Sequence, residues 1–524
     1  MRTVTIILVI LSLGLICPGV STTLAGHPPE TEEENATSSG PDIETGFSRV
    51  STTRHTLESD GRELAYTAKA GELVLEVEHK DKKLKGRFFF IAYHQEEADR
   101  ARRPVTFAFN GGPGASSVWL HLGGLGPKII QLNEDGTPLP PPAGLVPNPL
   151  TWLAFTDLVF VDPVGTGYSR SLSGKEETSF WGVEQDVASV AEFIRLYLTL
   201  EGRWLSPKLL VGESYGTTRA AALADYLDRT FGIRLNGLVL ISPALDYATL
   251  ALDGSLNLPY ALFLPSFAAA KIFHGQGNPP RWDPLLEPVE RFALADYLTA
   301  LHQGDRLPPY DRQALVDEVS AATGLSPQLV ARNDLRIPFR DFAKQLLSDR
   351  ERIVGRMDAS ITGIDPDPGR PHAYFDPSLD PLFGPFSSTV NHYIRLELGY
   401  QQTSPFEFLN DKVSRSWDWS SAVHGGRKGQ GYVNAADDLA AAMTKNPHLK
   451  VLVAGGLFDL ATPYFATEHT LSQMGLDGEL EANLAVRRYR AGHMIYLKDA
   501  ARRALYEDVV SFYDLAVPME DDQM

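Results

Sequence analysis

The sequence contains a single cysteine, Cys17, among 524 residues. Because Cys17 lies within an apolar N-terminal segment, we expect a mature protein without disulfide bonds and without thiol chemistry. Basic residues are also in the minority, with 48 lysines and arginines against 66 aspartates and glutamates and a formal net charge of −18. Such a charge repels phosphates, so we expect no nucleic-acid partner.

The N-terminus lacks an apolar run long enough to span a bilayer comfortably. The run at 4–16 follows Arg2 and precedes small residues at 23–25, a pattern typical of a secretory signal peptide. An uncleaved anchor is the alternative. We expect a signal peptide at 1–25, an acidic disordered linker at 26–47, a periplasmic or secreted location, and no stable membrane insertion after cleavage.

Metal-binding and nucleotide-binding motifs are missing as well. Gly165 and Gly167 lack the third glycine of a dinucleotide fingerprint, and the sequence contains no Walker loop. We therefore expect no cofactor and no metal.

The strongest positive signal is Gly-Glu-Ser-Tyr-Gly at 212–216. It lies between a short apolar run at 208–211 and a segment with helical spacing at 217–229. A strand, a sharp turn and a helix are the context of a nucleophile elbow, whose strained turn exposes the hydroxyl of Ser214. A Cβ at either glycine would crowd the neighbouring strand and helix. An ordinary strand-to-helix turn is the alternative.

A glycine-rich segment at 110–117 follows a compact apolar strand predicted over 104–109. Consecutive glycines allow backbone N–H groups to approach a ligand closely. In α/β-hydrolases, one N–H of the oxyanion hole comes from the loop after an early strand and another from the residue after the nucleophile. These donors would be Gly112 and Tyr215, and a plain glycine–proline turn is the alternative.

Apolar runs alternate with segments of helical spacing over most of the sequence. The runs typical of buried strands lie at 104–109, 157–162, 209–212, 235–241, 448–454 and 484–490. Short links between such elements predict an α/β fold, with a mostly parallel central sheet flanked by helices. Three β-rich runs at 63–69, 72–78 and 86–93 predict an antiparallel edge to that sheet.

From about residue 246 the sequence becomes rich in aromatic residues, proline and helical spacing, which predicts a large, mainly helical cap insertion above the sheet. We therefore expect a core at 48–245 and 431–524, divided by a cap at 246–430. Some cap aromatics are candidates for a pocket lining, although packing within the cap is the commoner role. They are Tyr260, Phe263, Phe267, Trp417 and Trp419.

A serine hydroxyl becomes a good nucleophile only when a base takes its proton and an acid orients that base. The α/β-hydrolase order is serine, acid, histidine, and Ser214, Asp459 and His493 follow it. Each comes directly after a predicted strand, and ligands of open parallel sheets bind at the carboxyl ends of the strands. We expect these three side chains to meet at one edge of the sheet.

Four segments together resemble the signature blocks of the serine carboxypeptidase family, over roughly 85–250 and 430–515. They lie at 110–117, 162–169, 212–216 and 491–494. The resemblance to an exported, bacterial-type member implies an α/β-hydrolase fold and a serine hydrolase. It also implies cleavage at the C-termini of peptides or proteins through an acyl-enzyme intermediate, favoured at acidic pH.

The resemblance implies that Ser214 is the nucleophile, His493 the general base and Asp459 the acid that orients it. Gly112 and Tyr215 would form the oxyanion hole.

Asn110 and Glu213 would receive the terminal carboxylate of the substrate. Because two carboxylates repel each other in a cleft, Glu213 must then be protonated. The sequence departs from the family here: Gly124 replaces the glutamate that shares this proton, Ala108 replaces a tryptophan, and Ala115 replaces a cysteine. An arginine of the cap could supply the missing contact.

These departures motivate an alternative, an esterase or acyltransferase on the same scaffold. A non-catalytic binding protein is a further alternative, which the complete set of catalytic residues disfavours.

Overall fold

The computed structural model describes residues 44–517, with gaps at 60, 80–81, 173, 253, 255 and 423–430. The expected signal peptide, Cys17 and nearly all of the expected linker lie outside the described residues. Across the part of the chain that is described, no helix is both long enough and apolar enough to cross a membrane.

Among the described residues, ten strands form one central sheet and four more form two small hairpins. The strands are β1 Gly46–Ser59, β2 Arg62–His79, β3 Lys82–Gln95, β4 Val105–Phe109, β5 Lys128–Ile130, β6 Leu145–Pro147, β7 Asp157–Val161, β8 Arg170–Ser171, β9 Lys208–Glu213, β10 Gly237–Ile241, β11 Arg352–Val354, β12 Thr362–Ile364, β13 Lys450–Gly456 and β14 Leu484–Tyr489. The central order is β1-β2-β3-β7-β4-β9-β10-β13-β14, with β8 paired to β3.

The predicted parallel sheet is confirmed. Neighbouring strands from β7 through β4, β9, β10 and β13 to β14 all pair in parallel. Within β9, Leu209 and Val211 enter one apolar core and Leu210 enters the core on the other face. Because both faces are covered, such strands appear in the sequence as continuous apolar runs.

The antiparallel edge differs in detail from its prediction. The predicted runs at 63–69 and 72–78 are one strand, β2, because Gly71 lies within the sheet and not in a turn. A Cβ on Gly71 would lie 2.7 Å from Cγ2 of Val50, so the glycine permits close approach of β1. The register of β1 shifts between Ser48 and Ser51, which obscures its alternation in the sequence.

Helices cover both faces of the sheet. They are α1 Val118–Leu120, α2 Val183–Leu200, α3 Tyr215–Phe231, α4 Leu258–Gln276, α5 Asp283–Phe292, α6 Leu298–Gln303, α7 Pro309–Thr323, α8 Pro327–Arg332, α9 Phe339–Gln345, α10 Phe383–His392, α11 Asp411–Arg415, α12 Ala436–Lys445, α13 Tyr464–Ser472, α14 Gly478–Glu481 and α15 Asp499–Ala516. On one face α2, α3 and α12 share a core with the strands, and α15 shares the core of the other face.

Between β10 and the core helix α12, an insertion carries α4 to α11 and the hairpin of β11 and β12. This insertion has an apolar cluster of its own, in which the rings of Phe267 and Phe342 stack with centroids 4.2 Å apart. The cluster continues into the core through Phe458 and Tyr464, beside the carboxyl end of β13. The inserted helices therefore stand over the edge where the candidate residues were expected.

Candidate active site

Ser214 lies at the sharp turn between β9 and α3. Its backbone has φ 58° and ψ −129°, a conformation that costs a non-glycine residue free energy. A Cβ on Gly212 would lie 2.2 Å from the carbonyl oxygen of Gly216, and one on Gly216 would lie 2.6 Å from that of Phe109. Both glycines are therefore required for the tight path that presents Ser214.

Asp459 and His493 follow β13 and β14 and form a hydrogen-bonded pair. Oδ2 of Asp459 lies 2.7 Å from Nδ1 of His493, and both side chains are buried. Oδ2 also accepts from the Thr462 hydroxyl at 2.8 Å, while Oδ1 accepts from the backbone N–H groups of Ala461 and Thr462. With Nδ1 facing Asp459, Nε2 of His493 is the nitrogen left to act as a base.

Electrostatics around His493 favour its charged form. Burial alone would lower the pKa of His493, but the charge and the hydrogen bond of Asp459 leave that pKa above its ordinary value. Because its charged form is stabilised, His493 is suited to accept a proton and hold it during a reaction.

The insertion is hydrogen-bonded to the loops that carry Asp459 and His493. The backbone N–H of His493 donates to the Met357 carbonyl at 2.6 Å, and Leu460 donates to the Arg356 carbonyl at 3.0 Å. The N–H of Gly492 donates to Oδ2 of Asp358 at 3.0 Å. Segment 356–358 therefore fixes both loops from above the sheet.

Ser214 and His493 line one cavity of about 320 Å³, together with Asn110, Gly112 and Glu213. Most of the remaining lining is apolar and comes from both the core and the insertion. These apolar residues are Ala115, Trp119, Ala244, Tyr247, Leu250, Met357, Leu379, Leu409, Ala461 and Met494. The structure thus brings the expected nucleophile, base and carboxylate-binding residues to one apolar cavity, the environment in which polar contacts are strongest.

The expected oxyanion donors lie on two adjacent turns. Gly112 has φ +101° in the loop after β4, and its neighbour Gly111 packs so closely that a Cβ there would lie 2.5 Å from the Tyr215 nitrogen. Tyr215 is the first residue of α3, so its N–H has no partner within the helix. The two turns place backbone donors beside Ser214.

Asn110 and Glu213, the expected carboxylate-binding pair, are buried and hydrogen-bonded to each other through Nδ2 and Oε2. The same Oε2 accepts a hydrogen bond of 2.7 Å from the hydroxyl of Tyr496. Burial raises the pKa of Glu213 to about 7, although the His493 charge and the Tyr496 hydrogen bond act in the opposite direction. Glu213 is therefore a carboxyl group that changes its charge near neutral pH.

Comparisons with known proteins agree with this geometry. Residues 73–253 match the family model for serine carboxypeptidases. The carboxypeptidase Y of Saccharomyces cerevisiae is 31% identical over 186 residues, which cover 33% of this chain and 31% of that protein. A carboxypeptidase Y homolog of Arthroderma benhamiae is 29% identical over 170 residues, which cover 31% of each chain.

The resemblance to the serine carboxypeptidase family is confirmed. The pheromone-processing carboxypeptidase KEX1 of Yarrowia lipolytica is 29% identical over 202 residues, 38% of this chain and 29% of that protein. These serine carboxypeptidase relatives are thus matched over only 29% to 31% of their own length. The family model includes Ser214, whereas Asp459 and His493 lie beyond its matched residues.

Solved structures extend the likeness in fold. The crystal structure of KEX1(delta)P, a prohormone-processing carboxypeptidase from Saccharomyces cerevisiae, aligns with a TM-score of 0.50 and 16% sequence identity. The alignment covers 84% of this chain and 92% of that one. The α/β-hydrolase fold predicted from the sequence is therefore confirmed.

Three of the five aromatic residues singled out in the insertion pack within it, and the two tryptophans pack against the core. Tyr260, Phe263 and Phe267 pack in the cluster of the insertion, and Trp417 and Trp419 pack on Tyr215, and none of them lines the described cavity.

Sequence reasoning missed three residues of the site: Arg356, Thr462 and Tyr496. Arg356 is the arginine that the insertion adds to the cavity lining. Thr462 and Tyr496 each lie three residues beyond a predicted catalytic residue, but no pattern of the sequence distinguishes them from their neighbours.

Proposed function

We propose that this protein is a serine-type carboxypeptidase that hydrolyses C-terminal peptide bonds of peptides or proteins through an acyl-enzyme intermediate. The observation that carries the proposal is a shared cavity. Ser214 and His493 line the same cavity as Asn110 and Glu213. The first two residues supply bond cleavage, and the second two restrict it to a chain end that carries a free carboxylate.

In the proposed reaction, Oγ of Ser214 attacks the carbonyl carbon of the last peptide bond while Nε2 of His493 takes its proton. Asp459 holds the opposite nitrogen of the ring and stabilises the imidazolium. The backbone N–H groups of Gly112 and Tyr215 stabilise the negative charge that develops on the carbonyl oxygen. His493 then gives the proton to the leaving amine, and water hydrolyses the remaining ester by the same steps in reverse.

Recognition of the terminal carboxylate depends on the protonation of Glu213. Below its pKa of about 7, Glu213 is neutral and can donate a hydrogen bond to the substrate carboxylate. Above that pH an anionic Glu213 repels the carboxylate. Neutral His493 is required as well, so we expect a bell-shaped dependence of kcat/KM on pH for peptides.

The location and the division of the chain belong to the same proposal. The N-terminal pattern supports export to the periplasm or the exterior of the cell. The insertion between β10 and β13 supports a cap at 246–430 over a core at 48–245 and 431–524.

The test compares three matched substrates of the purified protein: an N-blocked dipeptide with a free carboxylate, its C-terminal amide, and a simple ester. A carboxypeptidase cleaves the free-carboxylate dipeptide far faster than its amide below pH 7, and it continues to cleave the ester above pH 7, where anionic Glu213 repels the dipeptide. Cleavage of the ester alone would contradict the proposal and favour the esterase alternative.

A further inference from the structure

The two oxygens of the buried Glu213 carboxyl have different surroundings. Oε2 accepts a hydrogen bond from the Asn110 amide and another, of 2.7 Å, from the Tyr496 hydroxyl. Oε1 is buried, and no described residue is its hydrogen-bond partner. Glu213 lines the cavity, and a buried polar atom without a partner costs free energy, so an unpartnered carboxyl oxygen on this residue points to a ligand.

Tyr496 reaches Glu213 because Gly124 has no side chain. A Cβ on Gly124 would lie 2.6 Å from Cβ and 3.0 Å from Cγ of Tyr496. The ring is fully buried, in the short turn Ile495–Leu497 that follows the loop of His493. Glycine at 124 and tyrosine at 496 are therefore two parts of one arrangement, since a larger residue at 124 would displace the ring.

We propose that Tyr496 is a positioning residue for carboxylate recognition: with the Asn110 amide it occupies Oε2 of Glu213, so that the proton of Glu213 lies on Oε1. Oε1 is then the atom that donates to the terminal carboxylate of the peptide. The proposal rests on the proposed carboxypeptidase function and names the group that replaces the second glutamate of the family.

The Tyr496 hydroxyl is the donor of this hydrogen bond, and Oε2 of Glu213 is the acceptor. Burial and the neighbouring Glu213 hold the pKa of Tyr496 well above its ordinary value, so the hydroxyl keeps its proton and can donate a hydrogen bond to Oε2. A pair of carboxyl groups could share one proton in either direction, whereas a phenol does not titrate near neutral pH, so the proton that is lost there belongs to Glu213. The charged groups that act on Glu213 are then His493 and Asp459 alone among the described residues.

Removal of the phenol hydroxyl has two expected consequences of different kinds. The hydrogen bond from Tyr496 stabilises the ionised form of Glu213, so Tyr496→Phe keeps Glu213 protonated to higher pH. Without a donor on Oε2 from this side, the proton of Glu213 is no longer confined to Oε1 and peptide binding weakens.

The experiment measures kcat and KM against pH for Tyr496→Phe, with a free-carboxylate dipeptide and a simple ester. We expect the alkaline limb of the peptide profile to move up by about half a pH unit. KM for the peptide should rise about fivefold with little change in kcat, and ester cleavage should not change.

The control is Tyr400→Phe. Tyr400 also donates a hydrogen bond of 2.7 Å to a buried carboxyl group, Oε1 of Glu72, but it lies outside the cavity lining. Loss of its hydroxyl is the same chemical change, so any effect of general destabilisation appears in both variants. We expect the peptide profile of Tyr400→Phe to match that of the unmodified protein.

A double variant isolates the titrating group. In a Glu213→Gln background no proton remains to be positioned, so the addition of Tyr496→Phe should produce no shift of the alkaline limb. A shift that persists there, or a Tyr496→Phe profile identical to that of the unmodified protein, overturns the inference. Failure of the unmodified protein to cleave any free-carboxylate peptide would instead overturn the proposed function.

Gly124→Ala provides a second variant if Tyr496→Phe does not fold. The added Cβ pushes against the Tyr496 ring and moves its hydroxyl without removing it. We expect the same direction of change in the peptide profile and in KM, and an unchanged profile in the folded Gly124→Ala protein would also overturn the inference.

Discussion

The candidate site has a hydrolytic half, which contains Asp459, and a proposed carboxylate-binding half, which contains Glu213. The two buried acids differ in their hydrogen bonds. Asp459 accepts four hydrogen bonds, two on each carboxyl oxygen, from Ala461, Thr462 and His493. Among the residues that the structure describes, Glu213 has both of its donors on Oε2 and none on Oε1. A fully bonded acid is fixed in one orientation, whereas a half-bonded acid is left to interact with a substrate.

The halves also differ in how the chain builds them. Segment 356–358 of the insertion contacts the loops of Asp459 and His493 through backbone hydrogen bonds. The proposed carboxylate-binding half consists of Asn110, Glu213 and Tyr496, all from the core of the fold. Bond cleavage should therefore be sensitive to changes in the insertion that leave carboxylate recognition intact.

The largest expected effect concerns the proposed nucleophile, which the cleavage of every substrate requires. Ser214→Ala removes the proposed nucleophile, so turnover of both peptides and esters should fall by a factor of at least about a thousand. Steady-state assays on both substrates measure the loss. Ser388→Ala, a change at an exposed serine of α10, serves as the control. Residual activity above that level would show that Ser214 is not the sole nucleophile.

The next effect separates the halves. Glu213→Gln replaces a group with a pKa of about 7 by an amide that has no proton to lose near neutral pH. The peptide activity normally lost as pH rises through 7 should then persist to higher pH, while ester cleavage stays close to its original rate. An unchanged alkaline limb in the peptide profile would remove Glu213 from carboxylate binding.

Sequence patterns predicted the hydrolytic half better than the recognition half for a physical reason. Ser214, Asp459 and His493 each follow a strand, and strands have a strong apolar signal. A Cβ at position 212 or 216 would clash with backbone atoms, so both positions require glycine, and this requirement is visible in the sequence.

The partner of Glu213 had no comparable signal. The Tyr496 ring fills the space beside Gly124, and these two residues are far apart in the sequence. A glycine in the sequence does not reveal which side chain packs against it. Arg356 was equally hidden, because the path of the inserted helices depends on tertiary packing and not on local periodicity. Of the fold, the parallel strands were predicted and β1 was not, since its register shift breaks the alternation.

A smaller effect tests the connection of the insertion to the hydrolytic half. The Asp358 carboxylate accepts from the Gly492 N–H and forms an ion pair of 2.8 Å with Lys498. Asp358→Ala should loosen the loop of His493 and lower kcat about fivefold for peptides and esters alike.

Asp358→Asn is the matched variant, because its amide oxygen can still accept from Gly492. We expect it to recover part of the lost kcat, with the KM for peptides unchanged in both variants. A rise in peptide KM without a loss of ester turnover would mean that Asp358 supports recognition and not hydrolysis.

The smallest expected effect tests whether the insertion contributes to substrate recognition. Arg356 lies on the cavity lining, and its guanidinium is stacked over the Phe339 ring at 5.1 Å. An exposed cation at this place should favour substrates with an acidic side chain, so Arg356→Met should lower their kcat/KM about threefold and leave neutral peptides unaffected. Added salt should reduce the difference in kcat/KM between the unmodified protein and Arg356→Met, because exposed charges are screened.

Arg340→Met is the control, since that guanidinium lies over the same ring at 5.8 Å but does not line the cavity of Ser214. Equal losses in the two variants would assign the effect to the charge of the surface, whereas a loss confined to Arg356 would extend recognition from the core into the insertion.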